Sequence, residues 1–237
     1  MEQANEKLPP LRVIGHISTD FPTKFGIPRQ SGLVGDLHAE IVFTEPYRRA
    51  EAVRGLEGFS HVWLLWLFSE VPAGDFSPTV RPPRLGGNVR MGVFATRSPY
   101  RPNPIGLSAV RLDSIEMTSD RGPVLHVSGA DLMDGTPILD VKPYLPHADC
   151  RPEATGGFAD AVRENTLSVD CPEALLEKLP PAARAALPAI LAEDPRPHYQ
   201  NDPRREYGFP YAGFEIRFTV AGQILTVTSI EEVVGNE

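Results

Sequence analysis

The chain predicts a mainly β protein: an antiparallel sheet or barrel in its longer first part, followed by a small α+β unit. Three observations carry this. Short runs rich in β-branched and aromatic residues recur between Pro, Gly, Asn and Asp clusters, at 13–18, 38–43, 62–68, 91–96, 107–112 and 124–128. Only one short helix, over 47–56, interrupts them, which argues against a doubly wound parallel sheet. After Asp149 the texture changes, and Pro152, Thr155, Gly156 and Gly157 mark a linker between a domain at 1–155 and a second at 156–237.

The elements follow in order. The run 62–68, Val-Trp-Leu-Leu-Trp-Leu-Phe, is apolar at every position and reads as a central strand buried on both faces. Beyond the linker, Pro172 and Pro181 suit the first turns of helices, and 182–193 is rich in helix formers. Pro188 should kink or break that second helix. Two strands then close the chain, near 214–220 and 223–230.

At 237 residues with 41% hydrophobic content, the chain can bury a real core. No apolar run approaches a membrane span, and the start lacks the basic and then apolar pattern of a signal peptide, so a cytoplasmic protein is expected. Cys150 and Cys171 have no Cys-x-x-Cys or histidine spacing around them, so neither a disulfide framework nor a metal site is suggested. There is no Gly-x-Gly-x-x-Gly after a strand, no P-loop, no nucleophile elbow and no His-Glu-x-x-His pair.

The formal charge is −8, yet between Asp75 and Asp113 the chain has no carboxylate and six arginines: Arg81, Arg84, Arg90, Arg97, Arg101 and Arg111. With no acid among them these arginines do not satisfy one another, and arginine suits bidentate recognition of phosphate or carboxylate. A solvated basic face is the alternative. Pro28 and Gly32 shape a loop that aims Arg29 and Gln30 at something polar, or simply a surface turn. After a strand come Asp131, Asp134 and Asp140; if the segment is extended, Lys142 and Tyr144 fall on the same side as Asp140. That row of acid, cation and phenol suits positioning a nucleophile and taking its proton. Asp134 with Gly135 could equally be a turn, and Asp131 a cap.

Several segments resemble one family in the same order along the chain: Pro28-Arg-Gln-Ser-Gly-Leu33, Val53-Arg-Gly-Leu-Glu-Gly-Phe-Ser-His61, Thr79-Val-Arg-Pro-Pro-Arg-Leu-Gly-Gly-Asn88, Gly92-Val-Phe-Ala-Thr-Arg-Ser98, Arg101-Pro-Asn-Pro-Ile-Gly106 and Asp140-Val-Lys-Pro-Tyr-Leu-Pro146. They look like the TsaA-like, or TrmO-type, tRNA methyltransferases, and Asp194-Pro-Arg-Pro-His-Tyr199 is similar to the small C-terminal domain of bacterial members. The resemblance implies a single-sheeted antiparallel β-barrel that works as a homodimer and uses S-adenosylmethionine. It implies N6-methylation of threonylcarbamoyladenosine, just 3′ of the anticodon in threonine tRNA.

Carried over by position, cofactor contacts fall on Pro28, Arg29, Gln30, Arg97, Leu107, Ser128, Gly129, Ala130 and Asp131, and on Ser69 and Glu70, where family members often carry His. Asp131 is the acid expected beside the cationic sulfonium. Asp140 is the expected proton acceptor, with Lys142 and Tyr144 beside it. Arg81, Arg84, Arg90, Arg101 and Asn103 are left for the tRNA anticodon arm or the threonyl carboxylate. A non-catalytic module that binds S-adenosylmethionine or an anion, and a methyltransferase with another acceptor, stay open as alternatives.

Overall fold

A computed structural model describes residues 10–71, 76–82, 85, 88–162, 166–196 and 202–233. In chain order the first eight strands are β1 (Gly15–Ser18), β2 (His38–Phe43), β3 (His61–Leu67), β4 (Thr79–Val80), β5 (Met91–Gly92), β6 (Ile105–Thr118), β7 (Gly122–Ser128) and β8 (Pro137–Pro143). Six of them close into one barrel in the order β1, β2, β7, β6, β3, β8, with every pairing antiparallel. Closure removes the exposed edges that an open sheet would present. The barrel is filled by alternate residues of each strand, among them Ile17, Ile41, Val62, Leu64, Val110, Leu125 and Ile138.

The mainly β fold class holds, and several boundaries shift. The helix expected over 47–56 is absent: the segment forms two 3₁₀ turns, Ala50–Val53 and Leu56–Gly58, separated by Gly55 at φ 85°. A left-handed residue between them ends the first turn and prevents a continuous helix. The strand expected at 91–96 stops at Gly92 and passes into a 3₁₀ turn, Val93–Ala95. β3 is not buried on both faces. Val62, Leu64 and Trp66 point inward, while Trp63, Leu65 and Leu67 are half-buried on the outer surface, because a closed barrel has only one interior.

A short helix, α1 (Pro146–Asp149), leads out of the barrel. The remaining chain forms β9 (Ser168–Asp170), α2 (Glu173–Leu176), α3 (Pro181–Ala192), β10 (Tyr207–Tyr211), β11 (Phe214–Ala221) and β12 (Ile224–Glu232). These strands make a four-stranded sheet in the order β10, β11, β12, β9, with β9 parallel to β12. Helix α3 runs through Pro188 as one element, against expectation. Its buried Ala183, Ala186, Leu187, Ile190 and Leu191 join the core over this sheet, and that burial offsets the hydrogen bond the proline forfeits.

That core also contains Phe21, Val34 and Leu37 from the connection between β1 and β2, so the second half packs directly on the first. Gly26, at φ 83°, makes the approach possible: a Cβ there would lie 2.2 Å from the Phe209 ring. Among the described residues no helix is long and apolar enough to cross a membrane, and no cluster of His, Cys, Asp and Glu could hold a metal ion.

Candidate functional site

β6 outruns its neighbour β7. It pairs with β3 from Ile105 to Arg111 but with β7 only from Arg111 onward, so its earlier residues face loops on one side instead of a strand. Two loops cover that edge. Ala109 N donates to Ser31 Oγ at 3.1 Å, and Gly32 N donates to Gly129 O at 2.9 Å. Gly129 has φ 81°, and a Cβ on it would meet the Gly32 backbone at 3.4 Å, so the two loops approach closely there. Pro28 and Ala130 are buried within this junction.

Asp131 follows the second loop. Its Oδ1 accepts a hydrogen bond from Ser108 Oγ at 2.5 Å, and Ser108 Oγ in turn accepts from Trp66 Nε1 at 3.0 Å. Burial pushes the Asp131 carboxyl above the ordinary carboxylate range. The Ser108 hydrogen bond, backbone N–H groups of Asp131 and Ser31, and the charge of Arg97 act in the opposite direction. Arg97 also donates to Gln30 Oε1, and Gln30 Nε2 donates to Arg29 O. The expected residues Gln30, Arg97, Gly129, Ala130 and Asp131 thus meet around the β6 edge, with Leu107 on that strand 51% exposed.

Other expected contacts lie elsewhere. Arg29 sends its guanidinium to the Asp194 carbonyl at 3.1 Å, into the second half of the chain. Ser128 is buried, but its hydroxyl sits in a cluster on the outer face, bonded to Asp113, to His38 Nδ1 at 3.0 Å and to Arg111 Nη2 at 3.3 Å. Ser69 and Glu70 are exposed in the turn after β3, with no hydrogen bond to the loop residues among the described residues.

Asp140, Lys142 and Tyr144 do share one face, on the outside of the barrel. Lys142 Nζ is 2.8 Å from Asp140 Oδ2, and the Tyr144 ring lies 5.4 Å from that of Trp63. Leu65 is the register partner of both Asp140 on one side and Leu107 on the other. At about 4.8 Å per strand step, this sets Asp140 two steps from the loop-covered edge.

Two of the arginines are engaged within the acid-free stretch itself, by hydroxyl and carbonyl acceptors. Arg90 Nη1 donates to Thr79 Oγ1 at 2.9 Å, and Arg101 Nη1 donates to the carbonyls of Thr96 and Ser98 at 3.0 and 3.3 Å. Arg101 therefore shapes its own loop. Arg111 pairs with Asp113 at 2.6 Å, just past the acid-free stretch. Arg81 and Asn103 are exposed, and Arg84 lies outside the described residues.

Trp66 and Ser108 lie outside the motifs that carry the resemblance, and Gly106 ends one of them with no role assigned to it. Their signal is register. Gly106, Ser108, Val110 and Leu112 share the inward face of β6, and a serine in that row needs a buried partner. Two concavities outside the site, of about 330 and 370 Å³, are lined by neither Asp131 nor Asp140.

A half-buried acid, an exposed apolar side chain on the loop-covered strand edge and close glycine loops could together take a ligand with a cationic group beside an apolar part. Comparison with known proteins points the same way. Residues 16–150 match the family model described as tRNA-methyltransferase O N-terminal domain, and residues 164–233 match the TrmO C-terminal domain. A tRNA (adenine(37)-N6)-methyltransferase of Escherichia coli (strain K12) is 42% identical over 228 residues, covering 92% of this chain and 96% of that protein. A Pseudomonas aeruginosa relative with a provisional name as an S-adenosylmethionine-dependent methyltransferase is 43% identical over 203 residues, covering 82% of this chain and 85% of that one. A crystal structure of TrmO from P. aeruginosa superposes with a TM-score of 0.79 at 33% identity, covering 98% of this chain and 100% of that one.

Proposed function

The chain belongs to the tRNA-methyltransferase O family, and from that premise we propose that it N6-methylates threonylcarbamoyladenosine beside the anticodon of threonine tRNA, with S-adenosylmethionine as methyl donor. Its enzyme class is tRNA (adenine-N6)-methyltransferase. The observation that carries the finer reading is the shared outer row in which Leu107 of the loop-covered edge, Leu65 and Asp140 are successive register partners. It supports one site for two ligands, with the acid and the methyl donor's loops on the same face of the barrel.

When bound, S-adenosylmethionine supplies an electrophilic methyl group on a sulfonium. The residues that would hold it are Gln30, Arg97, Leu107, Gly129, Ala130 and Asp131. Asp131 supplies negative charge toward the sulfonium from a site where burial strengthens electrostatic attraction. The N6 nitrogen of the acceptor is a weak nucleophile, because its lone pair is delocalised into the ring and the carbamoyl group, so positioning must supply much of the acceleration. That nitrogen carries one hydrogen, which must leave as a proton as it gains the methyl group and the methyl–sulfur bond breaks to release a neutral thioether. Asp140 would be the carboxylate to take the proton. Lys142, already beside Asp140, offers a point charge to the threonyl carboxylate, and Tyr144 with Trp63 gives an aromatic surface for a splayed base.

Homodimeric assembly rests on the family resemblance; Phe94 and Tyr100, 74% and 57% exposed between β5 and β6, are apolar groups that such an interface could cover. The cytoplasm is the matching compartment for such an enzyme. Incubating threonine tRNA with the protein and methyl-labelled S-adenosylmethionine, followed by nucleoside mass spectrometry, tests the reading. Label is expected in threonylcarbamoyladenosine and not in tRNA that lacks the threonylcarbamoyl group. Label in unmodified adenosine would overturn the acceptor assignment.

A further inference from the structure

We propose that Ser108, oriented by Trp66, is a positioning residue that keeps Asp131 an acceptor-only anion and thereby lets the site distinguish a sulfonium cofactor from its neutral thioether product. This rests on the methyl-donor reading above. A serine hydroxyl has one proton and two lone pairs, and an indole N–H only donates. With Trp66 Nε1 donating to Ser108 Oγ at 3.0 Å, the hydroxyl proton is directed away from the indole, and Asp131 Oδ1 stands 2.5 Å off to accept it.

The direction of this chain matters. Were Asp131 protonated on Oδ1, the Ser108 oxygen would receive two donors and its own proton would need another acceptor at a fully buried position. Protonated on Oδ2, Asp131 keeps the Ser108 bond, but a neutral carbonyl oxygen is a weaker acceptor than a carboxylate. In both cases Ser108 and Trp66 favour the anion. The same two residues oppose the burial that favours neutrality.

The barrel is built to hold the arrangement. Trp66 is the direct register partner of Gly106, and a Cβ at Gly106 would lie 2.2 Å from the indole. Glycine there opens the space in which the ring lies, and the ring then reaches one inward position along the strand to Ser108.

The test is calorimetric titration of the full chain with S-adenosylmethionine and with S-adenosylhomocysteine, read as the ratio of the two dissociation constants. Ser108→Ala is expected to weaken S-adenosylmethionine binding about tenfold while leaving S-adenosylhomocysteine within about twofold, because only the sulfonium is sensitive to the charge on Asp131. Ser108→Ala also strands the Trp66 N–H, so the double variant Trp66→Phe with Ser108→Ala removes that orphan donor as well. It should recover thermal stability and leave the altered ratio in place. A wild-type ratio in Ser108→Ala, or a ratio that recovers together with stability, overturns the proposal. If the wild-type protein binds neither compound, the methyl-donor reading itself fails and takes this inference with it.

Discussion

Lys142 Nζ stands 2.8 Å from Asp140 Oδ2 on the outer face of the barrel, with the two side chains 61% and 43% exposed. An ion pair this open contributes about 0–1 kcal/mol to stability. Asp140→Asn should therefore leave the melting temperature nearly unchanged. If the carboxylate accepts the N6 proton, turnover at saturating cofactor and tRNA falls about 10²-fold or more. Full turnover in the variant would remove Asp140 from the chemistry.

Asp131 carries a pH signature of opposite sign for binding and for stability. Burial raises its folded pKa above the ordinary 3.8. As pH falls through that raised value the carboxylate is lost, so S-adenosylmethionine affinity should drop in a range where S-adenosylhomocysteine affinity stays flat. For folding, the native state holds this proton more tightly than the unfolded chain, so ionisation subtracts stability as pH rises from 3.8 through the folded pKa. Asp131→Asn is expected to raise the melting temperature at pH 7 relative to wild type, to show no such gain at pH 3, and to lose the acid limb of cofactor affinity. Arg97 is the charged side chain acting on Asp131, and its charge lowers the carboxyl against the effect of burial.

Ser128 gives a contrast. Burial alone would raise the Asp113 carboxyl, but hydrogen bonds from Ser128 and Arg111 and the charges of Arg111 and His38 outweigh it and hold the group below 3.8. A lowered pKa stabilises the fold above the unfolded value and loses that contribution as pH falls through the folded value. Ser128→Ala should cost about 1–2 kcal/mol at pH 7 in urea unfolding, and markedly less at pH 2–3. Cofactor affinity is expected to change by less than twofold, since the hydroxyl serves the outer cluster. A tenfold loss would return Ser128 to the binding site.

The arginines divide by what they touch. Arg81 is exposed beside β4, whereas Arg101 holds the carbonyls of Thr96 and Ser98. Arg81→Ala should weaken tRNA binding evenly across sequences and lower the slope of log affinity against log salt by about one, with no change in melting temperature. Arg101→Ala should lower the melting temperature as well, because the loop loses its internal donor. Filter binding from low to physiological salt checks both, and a salt-independent affinity would sink the electrostatic account.

Legibility followed the range of the interactions. Alternation placed β2, β7, β11 and β12 close to their true bounds, because a half-buried strand writes its own pattern. β8 is less visible: Pro137 and Pro143 border it, and Asp140 and Lys142 occupy its outer positions, so the sequence offers an extended segment there only as a condition. The Tyr47 segment looked helical because nothing local forbids a helix except Gly55, whose left-handed backbone only the fold reveals. Motif resemblance picked out Gln30, Arg97 and Asp131, which the fold brings together around the β6 edge, but not the Trp66–Ser108 pair behind Asp131. Trp66 and Ser108 are 42 positions apart and meet only once β3 and β6 are in register.

Gly26 pressed against the Phe209 ring, and Ala212 N donating to Asp20 O at 2.9 Å, bear on the timing of synthesis. Domains acquire structure as they leave the ribosome, the earlier part first. The connection between β1 and β2 emerges with the barrel, but the surface it packs on is made of β10 and β11, translated much later. Until those strands arrive, Phe21, Val34 and Leu37 have nowhere to bury. A nascent barrel can thus close around Ile17 and Leu125 while the segment bearing Arg29 and Gln30 still waits for β10 and β11 to fix its place.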